Sequence, residues 1–260
     1  MAIPTKRIST PAVILRRYPL GESDRLVVML TPGNGLVRAN AKGQRRSKKR
    51  FSGIIDLLYF LDVDLLKRKS DILTMENARL AAAYRPLSED VMLFAAGFHV
   101  AEVAALFASD HHSDPEAFSA LTAGLEALCR GADPGRVSRI VELHTLRAAG
   151  IAPRLTECAV TDTRFKPTQS VMFDPRHGGA VIPAKAGPMA VKLAPAAREW
   201  MTSALAADFA AALALPQNGG VSRQIREATA AMIAFHSGRT MRARRFAESV
   251  RQFLRGHRKS

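Results

Sequence analysis

Residues 38–50 read Arg-Ala-Asn-Ala-Lys-Gly-Gln-Arg-Arg-Ser-Lys-Lys-Arg. They hold seven cations, Arg38, Lys42, Arg45, Arg46, Lys48, Lys49 and Arg50, and no acid. Cations this close repel one another, so the cluster is either simply solvated or neutralised by a polyanion. Phosphate backbones are the commonest polyanion of that kind. The chemistry on offer is charge neutralisation rather than bond making.

No other constellation argues for catalysis. Gly21-Glu-Ser-Asp-Arg25 combines a hydroxyl with acids, but no histidine lies nearby in sequence, and a turn carrying an Arg–acid pair explains it more simply. The glycine pairs at 178–179 and 219–220 do not build a phosphate-cradling loop. His111-His112, with Asp110 and Asp114, reads as a chance surface cluster in a loop. His144 falls on an apolar helix face and reads as a hydrogen-bonded core histidine. No two carboxylates are spaced for a nuclease. The chain reads as a non-enzyme without a cofactor.

The charge is polarised along the chain. The total is +15, with 38 Lys+Arg against 23 Asp+Glu. Residues 1–50 carry 12 cations and 2 acids, residues 221–260 carry 10 and 2, and the middle is close to neutral. Two basic ends favour binding surfaces over a general solubility bias. At 260 residues and 47% hydrophobic, the chain can bury a core and divide into two domains. Met1–Thr10 has no apolar run behind its basic residues to serve as a secretory signal, and Ala204–Leu215 is too short to span a bilayer. With two cysteines, Cys129 and Cys158, there is neither a disulfide framework nor a full metal set. A cytoplasmic setting follows as the expectation, and no membrane partner.

Elements must position these cations. Short apolar segments at 12–18, 25–30, 36–41, 54–66 and 71–80, broken by turn signals such as Pro32-Gly-Asn-Gly35, predict strands and fit a small closed barrel. From about residue 86 the period becomes helical. Ser88 is the expected cap of a first helix with Val91, Phe94, Phe98, Ala101 and Ala105 on its apolar face. Asp114-Pro115 and Asp133-Pro134 start two more. Residues 151–192 read as a loop-rich insert with short strands at 171–173 and 180–182. Helices resume at 195–215 and 222–236, and Thr240 caps a last one with Phe246, Val250, Phe253 and Leu254 as its apolar stripe.

These residues resemble a known family. Ala12-Val-Ile-Leu-Arg-Arg-Tyr-Pro-Leu-Gly-Glu-Ser-Asp-Arg-Leu-Val27, Ala41-Lys-Gly-Gln-Arg-Arg46 and Arg50-Phe-Ser-Gly53 look like the N-terminal signature of the bacterial DNA-repair and recombination mediator RecO. Leu146–Leu155, Phe173-Asp-Pro-Arg-His-Gly-Gly179 and His236–Arg245 continue the likeness in order. The resemblance implies an α+β chain: an N-terminal OB-fold β-barrel over residues 1–82, then a mostly α-helical domain over 83–260. It also implies mediation of DNA repair and recombination. The protein would bind single- and double-stranded DNA, anneal complementary strands, and help load recombinase on strands coated by single-strand-binding protein.

The partners implied are DNA, a RecR-like mediator protein and the acidic C-terminal tail of single-strand-binding protein, in a nucleoid-associated, cytoplasmic setting. The expected DNA-binding residues are Arg16, Arg17, Arg25, Arg38 and Lys42 on or beside the barrel, with Arg45, Arg46, Lys48, Lys49 and Arg50 in the loop. A second basic face, for DNA or the acidic tail, comprises Arg239, Arg242, Arg244, Arg245, Arg251 and Arg255. The alternative reading is a ribosome- or RNA-associated OB protein. One departure matters. Many family members hold a structural zinc with two Cys-x-x-Cys pairs, whereas here Cys158 is followed by Thr161, and Ile182 and Lys185 occupy the second pair. Structural zinc needs about four N or S donors, so no metal is expected and packing alone must hold the insert.

Overall fold

The computed structural model describes residues 6–43, 51, 53–110, 112–238 and 241. Five strands, β1 (Lys6–Leu20), β2 (Asp24–Thr31), β3 (Gly35–Ala41), β4 (Phe60–Lys67) and β5 (Ile72–Ala82), close into a barrel in the order β1-β2-β3-β5-β4. β1 is long enough to serve two neighbours. Its first half pairs antiparallel with β4, and its second half with β2. A short parallel pairing of β3 with β5 closes the circle.

The sequence alternation places Ile14, Val27, Met29, Val37, Leu61, Leu65 and Met75 inside, all essentially inaccessible. The register slips between Ile14 and Arg16. Such an irregularity re-aims side chains: Leu15 joins the core beneath the barrel, while Arg16 emerges on the surface.

The strand expected from Ile54 begins only at Phe60. Leu58 has a positive φ of 65° and donates its N–H to the Ile14 carbonyl at 2.8 Å. This irregular stretch drops Phe51 and Ile55 into the barrel core, and Leu58 into the layer below it. An apolar run here marks a plug rather than a strand.

The helices are α1 (Arg85–Glu89), α2 (Val91–Phe107), α3 (Pro115–Cys129), α4 (Pro134–Ala148), α5 (Pro195–Ala206), α6 (Phe209–Ala214) and α7 (Gly219–Ser237). Asp114 and Asp133 cap α3 and α4 as the sequence predicts. Ser88 does not cap α2. Its hydroxyl bonds back to the Arg85 carbonyl, and Asp90 caps instead, accepting from Met92 and Leu93 N–H at 2.7 and 2.9 Å. Nor is the buried face of α2 the expected one: Ala95, Gly97, Val100, Ala101, Val103 and Ala104 face inward, and Val91 is 45% exposed. A helix apolar on every side offers little periodicity to read; its small residues decide which face can approach neighbours closely. The single helix expected over 195–215 breaks where Asp208 caps α6. Gly219 and Gly220 lie inside α7, behind the Asn218 cap.

α4 is the central helix, buried throughout Val137–Leu146. Its Glu142 is 2% exposed and is held by Arg139 at 2.6 Å, His99 at 2.7 Å and the Thr229 hydroxyl at 2.5 Å, tying α4 to α2 and α7. Burial would push this carboxyl up, but the Arg139 charge and the His99 and Thr229 bonds outweigh it and keep it low. His144 is the core histidine expected, with Nε2 against the Ala204 carbonyl at 2.9 Å.

Barrel and helices share one core. Val13, Leu15 and Leu30 pack with Val100, Leu121 and Leu125, and Phe60 meets Phe118 edge to face at 6.0 Å. Gly35 sits at the tightest point. Its φ is 55°, and a Cβ there would be driven into the Ser109 and His112 carbonyl oxygens. Leu36 N–H meanwhile bonds the Ser109 carbonyl at 3.1 Å.

The insert is better built than packing alone would make it. β6 (Val171–Asp174), β7 (Gly179–Val181) and β8 (Val191–Leu193) form a sheet in the order β7-β6-β8; β8 was not expected. Asp174, fully buried, accepts from the Arg176 guanidinium and from the Arg176 and Gly187 N–H groups. Those bonds, the Arg176 side chain first, hold its carboxyl at about 2 against the opposing effect of burial. Arg198 reaches from α5 to the Leu155, Lys166 and Pro167 carbonyls, and lies over the Phe165 ring at 5.6 Å.

Candidate nucleic-acid interface

Outward-facing side chains of the barrel fall into register rows. Arg16 is opposite Val28, Val28 opposite Arg38, and Arg38 opposite Ile72. The next row along the strands is Tyr18, Leu26, Asn40 and Thr74. Tyr18 is 43% and Ile72 40% exposed. The face therefore alternates cations with apolar and aromatic surface, the composition that tracks phosphates while offering a ring to a base.

The candidate cations differ in how free they are. Arg16 and Lys42 are exposed. Arg38 is exposed but paired with Asp110 at 2.7 Å, in a bridge 43% and 47% accessible on its two sides. Such a pair is worth about 0–1 kcal/mol, so phosphate can displace the carboxylate at little cost. Arg17 is committed elsewhere, to Asp56 at 3.1 Å and the Ile55 carbonyl at 3.2 Å, where it pins the plug. Arg25 is half-buried, opposite Pro19 and Ala41. Arg45, Arg46, Lys48, Lys49 and Arg50 lie outside the described residues, as do Arg239, Arg242, Arg244, Arg245, Arg251, Arg255 and the helix expected after Thr240.

The root of the basic loop is nevertheless defined. Asp24 accepts the Gly43 N–H at 2.8 Å and the Asn40 amide at 3.1 Å, with Ser23 at 3.2 Å. The Gly43 and Asn40 bonds lower its pKa. Within the turn at 21–24, Asp24 is thus given to Gly43 and Asn40. Its carboxylate fastens Gly43 and Asn40 to the β1–β2 hairpin, which places Lys42 at this end of the face. Sequence reading missed that role, and missed Asp110, because both partners are far away in sequence.

The opposite side of the barrel is unsuited to phosphate. Rows Ser9–Asp64–Asn77 and Pro11–Asp62–Arg79 line a groove of about 590 Å³. Asp64 accepts from Ser9 and Asn77, and Asp62 pairs with Arg79. In these two rows the charged groups are Asp64, Asp62 and Arg79, and Asp62 already neutralises the one cation.

The zinc position does not fit a metal. Cys158 is buried, with the Thr161 hydroxyl and the Thr161, Val160 and Ile182 N–H groups as the donors that act on its thiol. Burial alone would raise this thiol, yet these donors bring it to about 7. Among the described residues no group of three or more His, Cys, Asp or Glu is placed to hold a metal ion. The knuckle around Cys158 is a hydrogen-bonded turn, with the Cys158 N–H donating to the Thr163 carbonyl and the Asp162 N–H to the Cys158 carbonyl, both at 2.9 Å.

Comparison with known proteins now adds the family. Residues 5–84 match the family model described as Recombination protein O N terminal, and residues 88–245 match Recombination protein O C terminal. The chain belongs to the RecO family. Curated relatives from Anaeromyxobacter span nearly its whole length. The DNA repair protein RecO of Anaeromyxobacter sp. (strain Fw109-5) is 33% identical over 260 residues, covering 96% of this chain and 99% of the relative. That of Anaeromyxobacter dehalogenans (strain 2CP-C) is 33% identical over 253 residues, covering 96% and 99%. That of Myxococcus xanthus (strain DK1622) is 32% identical over 177 residues, covering 68% and 71%. Among the described residues no helix is long and apolar enough to cross a membrane.

Proposed function

We propose that this protein is a non-enzymatic DNA repair and recombination mediator. It binds single- and double-stranded DNA through the β1–β2–β3 face and the basic loop, and it anneals complementary strands. The observation that carries this is the sidedness of the barrel: Arg16, Tyr18, Arg38 and Lys42 gather on one face, and the paired carboxylates lie on the other. Membership of a family whose relatives are named DNA repair proteins supports it.

Annealing needs two polyanions brought together against their own repulsion. Cations on one face screen that repulsion at moderate salt without any hydrolysis step. Arg17 and Arg25 support the face from beneath, while Arg16, Arg38 and Lys42, with Arg45, Arg46, Lys48, Lys49 and Arg50, meet phosphate. The arginines at 239, 242, 244, 245, 251 and 255 would hold the second strand or the acidic tail of single-strand-binding protein. A RecR-like partner would complete recombinase loading.

The test is annealing of complementary strands already coated with single-strand-binding protein. The mediator reading predicts acceleration over the coated strands alone. No acceleration, together with tighter binding to structured RNA than to single-stranded DNA, would instead support an RNA-associated role.

A further inference from the structure

A second run of cations lies on the barrel, among the described residues. The β4–β5 turn reads Lys67-Arg68-Lys69-Ser70-Asp71, and the strand register puts Lys6, the first residue of β1, directly opposite Lys67. Like charges opposite one another on paired strands destabilise the pair. Among the described residues no carboxylate forms an ion pair with Lys6, Lys67, Arg68 or Lys69, whereas neighbouring Arg7 pairs with Glu76 at 3.3 Å. Arg68 and Lys69 are exposed, and the turn has a defined shape, with Ile72 N–H bonded to the Ser70 hydroxyl at 3.0 Å.

Position gives the cluster its meaning. Ile72, which follows the turn, ends the outward row that begins at Arg16 and passes through Arg38. At about 4.8 Å per strand step, that row is about 15 Å long. β3 runs parallel to β5, so the turn lies beside the first half of β3, while the basic loop leaves from its far end at Lys42. Lys42 is four residues beyond Arg38, about 13 Å at about 3.3 Å per residue. The two clusters therefore bracket the Arg16–Arg38 and Tyr18–Asn40 rows.

We propose that Lys6, Lys67, Arg68 and Lys69 form a second phosphate-contacting site. One single strand of DNA is then held at both ends of the β1–β2–β3–β5 face, by the basic loop at one end and by this turn at the other. The proposal rests on the DNA-binding reading above and adds the path of the strand. A strand pinned at both ends with bases over Tyr18 is held extended, which suits pairing with a second strand.

The test compares single-stranded oligonucleotides of about 5 and about 16 nucleotides, lengths that bracket the site sizes usual for such barrels. Salt dependence of affinity is measured for the wild-type protein and for the K67A/R68A/K69A variant. Each lost contact to a single strand lowers the slope by about 0.7. The variant should bind the longer strand with a slope shallower by about 2 and leave the shorter strand, held at the loop, unchanged. An unchanged slope on the longer strand overturns the second site, and so does an equal loss on both lengths. A wild-type protein with no salt slope on either strand removes the DNA-binding reading itself. Should the triple variant not reach the wild-type melting temperature, Arg68→Gln alone carries the same test, with an expected change of about 0.7.

Discussion

Single residues set how readily each cation is available. Arg38 is the clearest case, because its partner Asp110 is itself accessible. Asp110→Asn should free the guanidinium and remove a repelling charge. Single-strand affinity should rise by up to about fivefold, the equivalent of a surface pair worth about 1 kcal/mol. A titration at fixed salt checks it; a loss of affinity would mean that the pair positions Arg38 instead. Glu142 is the converse case, a buried carboxylate whose partners cannot be replaced by water. Glu142→Gln leaves Arg139 uncompensated, so urea unfolding should show a loss of about 3 kcal/mol. Neither partner was legible in the sequence. Asp110 lies 72 residues from Arg38 and Glu142 lies 87 from Thr229, so only the fold reveals the pairing. His144 was legible because its helix position alone implied burial.

At the scale of elements, strands and capped helices followed from local signals, and the misses have physical causes. The apolar run from Ile54 could be read only as a strand, because burial as a plug leaves the same composition. Apolar residues all round α2 hid its inner face. The insert was misjudged because its stability comes from charged groups meeting backbone, Asp174 with the Gly187 N–H and Arg198 with three carbonyls, and such bonds leave no periodic trace.

Two outcomes follow for the insert. Asp174 is depressed to about 2 when folded, against an unfolded value near 3.9. Its stabilisation is complete above about pH 4 and is lost as pH falls through about 2. Wild-type protein should therefore lose about 2 kcal/mol more than Asp174→Asn between those limits, read from urea midpoints against pH. Parallel pH profiles would show that the Asp174 bonds do not hold the sheet. The donors around Cys158 make the second expectation: well under one zinc per chain, and a melting temperature that chelator does not move. Stoichiometric zinc would overturn that view of the knuckle.

At the scale of the whole molecule, the organising feature is a barrel with two unlike sides, fused through one core to a helical bundle. Net charge along the chain pointed to the basic loop, and the family signature pointed to DNA. Neither indicated that the β4–β5 turn would join the same surface, because its three cations sit in a middle segment that is near neutral by count. The most direct test of the central claim, that one barrel face neutralises phosphate, is the slope of log affinity against log salt for single-stranded DNA. It should be measured for wild-type protein and for the variant with Arg16, Lys42, Arg45, Arg46, Lys48 and Lys49 changed to Ala. The account predicts a variant that folds, binds all sequences more weakly, and shows a slope shallower by about 4, six contacts at about 0.7 each. A folded variant with the wild-type slope would contradict it, and the DNA would have to lie elsewhere on the molecule.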